Sequence, residues 1–431
     1  MIHSIIAKLE FRPIGQGLFF TGKFNHVASS KSFTMVYDCG HSTYSTNASY
    51  IDTEIDEFVL EIGDKIDMLV ISHFHADHIN KITELLTKSR GAKEVYLPYL
   101  SEEEKYLYLI DNLFDGNSDK ESVRSFINDP ISFFKKLDVK HINFIHHKDK
   151  PDDSGSSDID PKPFDDNPKF EFSLNKLLDD NIEIQEADKQ ENVHHHYDSG
   201  YIELNHFWQF KFFNKKRDIS LLSHFKTELK SLLKVTNDPT QDDITNALSS
   251  SKITIQNLKA VYVKVFGSTK LNDTSMLLLN TPKSPRSEIA ICNCQKKLNN
   301  RDHLRYLCCN NRYRYIRHIN NNYAFLLTGD IKLNDSCSDE LESKWGQTTL
   351  DQIRILQIPH HGANHYLTSG ALDRFTSVNY GVINYGLGNQ YRHPSKHIID
   401  LINNANTPIN LMHATQLNRV RFVYFLGNIN T

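Results

Sequence analysis

His73, His75, Asp77 and His78 stand within six residues, in the segment SHFHADH. The segment follows an apolar run at 66–71, which is typical of a strand buried on both faces. Imidazole nitrogens and carboxylate oxygens are the ligands that zinc and related ions take in proteins. On a tight loop, the first two histidines can face one side and the other two residues another. The segment therefore predicts a site for two metal ions, whereas a histidine-rich surface loop would not be expected to continue a buried strand.

The composition predicts a globular protein. The chain has 431 residues, of which 39% are hydrophobic and 24% charged, so that wholesale disorder is excluded. The sequence has neither a long apolar stretch nor an N-terminal signal-peptide pattern, and we expect a cytoplasmic protein without a membrane segment. The formal net charge of −4 argues against a generic polyanion binder.

Strand and helix patterns alternate along most of the chain and predict a layered α/β domain that positions the metal motif. Besides the run before the motif, we expect strands near 5–11, 33–38, 92–98, 141–147, 208–213, 261–266, 275–280, 323–328 and 353–359. We expect helices near 51–61, 79–88, 101–137, 218–258, 337–346, 368–376 and 395–404.

Three further motifs lie at predicted strand ends. Asp38 closes one strand, Asp330 follows the run FLLTG, and the pair His360 and His361 follows the strand that ends at Pro359. Together with H-x-H-x-D-H, these positions resemble the metallo-β-lactamase superfamily. The resemblance implies an α/β fold of four αββα layers with large insertions. It implies a single domain over 1–431, with insertions at about 101–260 (mostly helical, with a disordered loop at 148–169) and 281–321 (basic).

The same resemblance implies a ligand set. His73, His75 and Asp330 are assigned to the first ion, and Asp77, His78, Asp330 and either His361 or His360 to the second. Asp38 is expected to hydrogen-bond a ligand or the loop backbone. Zinc is the expected metal, with two ions, and manganese is the alternative. We take Asp77, Asp330, Asp38 and His393 as the catalytic candidates, with His393 donating a proton to the leaving group, binding a phosphate oxygen, or only packing its loop.

Some positions remain open. Many superfamily members have a third histidine on the first metal, for which His146 and His147 are candidates unless the ligand is missing. The tract 194–196 is a weaker candidate, since we interpret it mainly as a solvated loop. Among the six cysteines, the group at 292, 294, 308 and 309 is interpreted as ordinary thiols rather than a second zinc site.

A finer resemblance links the order of these motifs to the hydrolase domain of ComEC/Rec2 competence proteins and their free-standing relatives. The motifs GQG at 15–17, NDTS at 272–275, LLTGD at 326–330, PHHGA at 359–363 and YRHP at 391–394 occur in that order. The resemblance covers roughly 1–100 and 260–431, and it favours phosphodiesters as substrates.

A basic, tyrosine-containing segment at 295–318 agrees with a nucleic acid substrate, because Arg and Lys contact phosphates and aromatic rings stack on bases. The nucleic-acid-binding candidates are Lys296, Lys297, Arg301, Arg305, Arg312, Arg314 and Arg317. A basic solvated hairpin is an equal alternative.

The leading hypothesis is a dinuclear-zinc phosphodiesterase or nuclease that acts on DNA, or on RNA. The resemblance further suggests an effector subunit of a bacterial defence system, with a regulatory protein partner docking on the insertions. The alternatives are a small-molecule phosphodiester or ester hydrolase, and a non-enzymatic metal-stabilised scaffold that binds a partner.

Overall fold

Two β-sheets lie face to face, with helices on both outer faces. The computed structural model describes residues 3–42, 49–114, 120–149, 169–182, 190–215, 218–267, 275–283, 286–295, 314–316 and 323–427. Within these ranges one sheet has ten strands and the other has eight. The apolar layer between the sheets joins residues such as Phe20, Trp208 and Phe325, all fully buried. The arrangement is the four-layer αββα fold expected from the sequence, that of the metallo-β-lactamases.

The larger sheet is antiparallel on one side and parallel on the other. From β3 the strands β4, β5, β6 and β8 run parallel, so that their carboxyl ends meet at one edge. Its strands, in spatial order, are β13 (Arg314–Ile316), β12 (Arg286–Gln295), β18 (Asn418–Gly427), β1 (His3–Phe11), β2 (Gly17–His26), β3 (Ser32–His41), β4 (Ile66–Val70), β5 (Ala92–Pro98), β6 (Val139–His146) and β8 (Val193–Tyr197).

The smaller sheet has the same mixed character. Strands β14 to β17 are parallel, and the remaining strands are antiparallel. In spatial order the strands are β17 (Asn410–Ala414), β16 (Tyr380–Asn384), β15 (Ile353–Gln357), β14 (Ala324–Leu327), β11 (Met276–Pro282), β10 (Trp208–Asn214), β9 (Gly200–Leu204) and β7 (Leu174–Leu178).

The helices form the two outer layers and a separate bundle. The larger sheet is covered by α1 (Ser49–Ile62), α3 (Ile82–Lys88), α4 (Glu102–Phe114), α5 (Lys120–Asn128) and α6 (Pro130–Lys136). The smaller sheet is covered by α10 (Asp335–Trp345), α11 (Gln347–Leu350), α12 (Ser369–Asp373) and α13 (Lys396–Asn403). One face of α4 packs with α7 (Ile219–Leu233), α8 (Gln241–Ser249) and α9 (Ile255–Phe266). The short α2 (Ala76–Ile79) belongs to the metal motif.

A buried ion-pair network fastens α1 to the larger sheet. The guanidinium of Arg419 on β18 lies 2.5 Å from Glu54 and 3.0 Å from Glu57, both on α1. Glu10 on β1 is 3.5 Å from Arg419, and its side chain is fully buried. Burial raises the pKa of Glu10, but the charges of Arg12, Arg419 and the neighbouring bases outweigh burial and lower it far below its usual value. These charges are therefore paired rather than neutralised by protonation.

Two sequence-based predictions are wrong. The segment at 261–266 continues helix α9 instead of forming a strand. Thr254 caps this helix with a reciprocal capping box, and Leu258, Tyr262 and Val265 bury one helical face. Helical spacing and a strong cap thus outweigh the strand propensity of the β-branched residues. The tract 194–196 is the middle of β8, paired parallel with β6, and is not a solvated loop.

The remaining expectations fall partly outside the described residues. These include 150–168 of the predicted disordered loop and most of the basic segment. Cys39 and Cys337 are buried and take part in no disulfide, whereas Cys292 is disulfide-bonded, which corrects the expectation of ordinary thiols at that position. Among the described helices, none has the length and apolar character needed to cross a bilayer.

Candidate metal centre

The metal motif occupies the edge where the carboxyl ends of β3 and β4 meet those of β14 and β15. His73 follows β4 after two residues, and α2 begins immediately after His75. Asp330 follows β14, and a single 3₁₀ turn, His360–Gly362, follows β15. Carboxyl ends of parallel strands are the usual location of ligand sites in open α/β sheets, because the connecting loops converge there.

Gly40 lets the end of β3 approach the motif closely. A Cβ atom at this position would lie 2.6 Å from the backbone nitrogen of His78 and 2.6 Å from the carbonyl carbon of Asp77. Real side chains do not tolerate such distances to backbone atoms. The absence of a side chain at Gly40 therefore allows the backbone of β3 to pack directly against the backbone of the metal motif.

The structure brings the predicted ligands into two sets that share one carboxylate. Donor atoms of His73, His75 and Asp330 lie within 4.8 Å of one another, as do those of Asp77, His78, Asp330 and His361. Asp330 belongs to both sets, as expected for a carboxylate that bridges two metals. The first set has three protein donors, which leaves room for a water or substrate atom, as in catalytic zinc sites.

Buried nitrogens without hydrogen bonds show that these residues fit a metal. The Nε2 atoms of His73, His78 and His361 are buried and have no hydrogen-bond partner within the described residues. They face carboxylate oxygens of Asp330 at 3.8, 3.2 and 3.9 Å, respectively. Buried polar atoms are normally satisfied, so a group of unsatisfied nitrogens aimed at carboxylates points to a cation between them.

Asp38 orients the motif from the end of β3. Its Oδ1 accepts a hydrogen bond from the Ser72 backbone nitrogen at 2.7 Å, and its Oδ2 accepts from His78 Nδ1 at 2.8 Å. The Ser72 hydroxyl also donates to Oδ2 and lies 2.8 Å from His73 Nδ1. Asp38 with His73 and His78 would form a third possible donor set, but these hydrogen bonds already occupy both oxygens. The geometry favours Asp38 as a support that fixes the tautomer of His78.

His361 is the member of the histidine pair that joins the second set. It has a left-handed backbone, with φ of +56°, and its Nδ1 donates to the carbonyl oxygen of Asn384 at 2.8 Å. Its Nε2 lies 3.4 Å from Oδ2 of Asp77. A non-glycine residue in this conformation is strained and is often found at functional sites.

His360 and His393 lie beside the two sets. The Nε2 of His360 is 3.5 Å from Asp330, but His360 belongs to neither set. The ring of His393 lies 5.8 Å from that of His360 and 6.5 Å from that of His361. Burial and the neighbouring His361 and His360 lower the pKa of His393 to about 3, so its ring is neutral at pH 7.

The metal-free charge distribution favours a cation at the shared carboxylate. Burial raises the pKa of Asp330, but His360, His78 and His361 outweigh burial and hold it well below its usual value. The pKa of His73 is lowered, first by burial and then by His78 and His75. The metal-free site therefore presents an ionised Asp330 beside a neutral His73. Burial lowers the pKa of His78 and His361, but Asp330 and Asp77 outweigh burial and raise both, so a cation that binds there would displace protons from these two rings.

The candidates for a third histidine lie elsewhere among the described residues. His146 Nε2 hydrogen-bonds His195 Nδ1 at 2.8 Å, and its ring stacks on Tyr99. His147 Nδ1 donates to the carbonyl oxygen of Asn214 at 2.7 Å. Neither joins the donor sets found within the described ranges.

Of the seven basic candidates for nucleic acid binding, one lies within the described residues. Arg314 falls in β13. Outside the described residues lie Lys296, Lys297, Arg301, Arg305, Arg312 and Arg317.

Sequence reasoning missed a polar support beneath the site. Gln357 Oε1 accepts from the backbone nitrogens of Thr328 and Gly329 at 2.9 and 3.3 Å, and its Nε2 donates to Asn384 Oδ1 at 3.0 Å. Asn384 in turn donates to the carbonyl oxygen of Gly17 at 2.8 Å. The available signal was an amide residue at the end of each of two largely apolar strands.

Comparisons with known proteins add little to this description. No family model matches the chain, and no curated protein matches it. Among solved structures, a long-form RNase Z from yeast aligns over 97% of this chain and 41% of its own, with 9% identity and a TM-score of 0.35. The chain thus spans about two fifths of that protein. A superposition this weak has no bearing on substrate or mechanism, and the assignment of the fold depends on the two sheets and their helical layers.

Proposed function

We propose that the protein is a dinuclear-metal phosphodiesterase that cleaves DNA, with zinc as the metal. The supporting observation is the position of Asp330, whose carboxylate belongs to both donor sets. When bound, two ions would acidify a water molecule and neutralise the charge of a phosphodiester. An imidazole-rich set with only two carboxylates favours zinc over magnesium or calcium, which prefer oxygen ligands.

The chain's own residues fall into two groups at the metal centre. His73 and His75 would hold the first ion, Asp77, His78 and His361 would hold the second, and Asp330 would contribute to both. Asp38 keeps the Nδ1 proton of His78, so that Nε2 is free to bind a metal.

His393 lies beside the centre and is neutral at pH 7, which suits a hydrogen bond from its ring N–H to a phosphate oxygen better than donation of a proton. It therefore positions the substrate in this scheme.

DNA as the substrate and the ComEC/Rec2-type relationship are supported by the order of the sequence motifs. The basic segment at 295–318 agrees with them through its composition. The resemblance alone supports a role as the effector of a defence system. It is also the only support for a regulatory protein partner.

The experiment offers purified protein with Zn²⁺ or Mn²⁺ to plasmid, single-stranded DNA, RNA and bis-p-nitrophenyl phosphate. His75→Ala and Asp330→Ala serve as controls that remove ligands of the first set and of both sets. We expect metal-dependent cleavage of DNA by the wild type and its loss in both variants. If the metal-loaded wild type cleaves none of the polymers, the nuclease proposal is wrong, and cleavage of the small diester alone would favour a small-molecule hydrolase.

A further inference from the structure

A cavity of about 190 Å³ lies next to the metal centre, at the carboxyl ends of β4, β5 and β6. Ser72 and Ser275 form part of its wall. Ser72 directly precedes His73, and the hydroxyl of Ser275 accepts a hydrogen bond from the backbone nitrogen of Asp330 at 3.1 Å. The cavity is therefore lined by residues that hydrogen-bond to members of the donor sets, which places it beside the metal centre.

Aromatic rings make up much of the lining. Tyr99 is 44% exposed and stacks on His146, with ring centroids 4.0 Å apart and planes at 15°. Tyr108, from α4, also lines the cavity, and its ring lies 5.1 Å from that of His75. The Tyr99 ring thus exposes a surface on which a ligand could stack, and the Tyr108 ring lies between the cavity and the first donor set.

Polar groups complete the lining. Ser101 and Glu104 lie at the start of α4, and Asn214 and Lys215 lie at the end of β10. Rings combined with hydrogen-bonding groups suit a planar heteroaromatic molecule, because its faces can stack while its edges bond.

We propose that this cavity receives one unpaired nucleobase of the strand whose phosphodiester lies at the metal centre, so that the enzyme acts on single strands and not on duplexes. The inference rests on the proposed nuclease function. Small-molecule pockets usually begin at about 300 Å³, so a cavity of about 190 Å³ suits one planar group better than a base pair. A base in a duplex must leave its stack and its partner before it can enter such a pocket.

The α-helical insertion provides the wall that makes the pocket selective. Tyr108 and Glu104 belong to α4, which lies within the segment 101–260 that the metal motifs do not include. Specificity for single strands is therefore attributed to an element separate from the ligands, and it can be altered without changing the metals.

The test measures kcat/KM for a short single-stranded DNA and for the same strand annealed to its complement. The comparison includes Tyr99→Ala and Tyr99→Phe, with zinc content and thermal midpoint as checks on folding. We expect the duplex to be cleaved at least about tenfold more slowly. Tyr99→Ala should lower kcat/KM on the single strand by about 5- to 150-fold, the range measured for one base–aromatic stack. Tyr99→Phe keeps the ring and should restore most of the kcat/KM that Tyr99→Ala loses.

An abasic scan provides a second test, whose first readout uses the wild type alone. Replacing single nucleotides near the cleaved bond by abasic residues should reduce cleavage by the wild type at one position, and Tyr99→Ala should be insensitive at that position. Equal cleavage of duplex and single strand, or no sensitive position, would overturn the pocket assignment while leaving the nuclease proposal intact. Absence of metal-dependent cleavage of any DNA by the wild type would overturn both.

Discussion

Asp38→Asn tests whether hydrogen bonding outside the donor sets controls metal affinity. Asparagine tolerates the left-handed backbone of Asp38, whose φ is +58°, so the substitution adds little strain. Its oxygen can still accept from Ser72, but its NH₂ group then faces His78 Nδ1, which must become an acceptor. The proton of His78 moves to Nε2, the atom that should bind the second ion. Loss of such a partner typically lowers metal affinity 10- to 100-fold, or about 1.4 to 2.7 kcal/mol.

The assay is competition between the protein and a chromophoric chelator for Zn²⁺, which resolves the two dissociation constants. Asp67→Asn is the matched control, because Asp67 accepts from the Thr34 backbone nitrogen at 2.7 Å and so joins the same two strands away from the motif. We expect Asp38→Asn to weaken the second site and Asp67→Asn to leave both affinities unchanged. Equal zinc affinities in Asp38→Asn and the wild type would refute the role assigned to Asp38.

Three further predictions concern the support of the site and the stability of the fold. Gly40→Ala places a Cβ 2.6 Å from the backbone of His78, so zinc binding should be lost and the thermal midpoint should fall, and a variant that retains both would contradict the close packing. Arg419→Met removes the 2.5 Å ion pair of Glu54, which keeps Arg12 at 3.6 Å, so the free energy of urea unfolding should fall by up to about 3–5 kcal/mol, and a change below about 1 kcal/mol would be inconsistent with a paired network. The pKa of His146 is lowered to about 3 by burial and by the neighbouring His195 and His196. Below the ordinary pKa of 6.5, the unfolded chain takes up a proton at this residue that the folded protein does not. The free energy of unfolding therefore falls as the pH drops from 7 towards 3. His146→Gln should weaken that dependence in denaturation between pH 7 and 5, and an unchanged slope would contradict it.

The metal motif and its strand could be predicted from the sequence because both depend on local patterns. The apolar run before residue 72 has the length and composition of a buried strand. Histidines at alternate positions directly after a buried strand are more readily explained by metal binding than by packing. Asp330 could be located for the same reason, because it closely follows an apolar strand.

Features that depend on tertiary packing could not be predicted. The run at 261–266 has strand propensity, which the distant cap at Thr254 and the burial of one helical face against α4 and α7 outweigh. The tract 194–196 looks solvated until β6 supplies its hydrogen bonds. Gln357 supports the site through a partner 27 residues away. The cavity beside the metals, likewise, is assembled from the ends of several elements that are distant in sequence.

Native mass spectrometry of zinc stoichiometry shows whether the Asp330 carboxylate serves two metal positions. We expect two zinc ions in the wild type, one in His75→Ala, one in His361→Ala and none in Asp330→Ala at the same free zinc concentration. A wild type that binds a single ion, or an Asp330→Ala variant that keeps two, would contradict this role of Asp330.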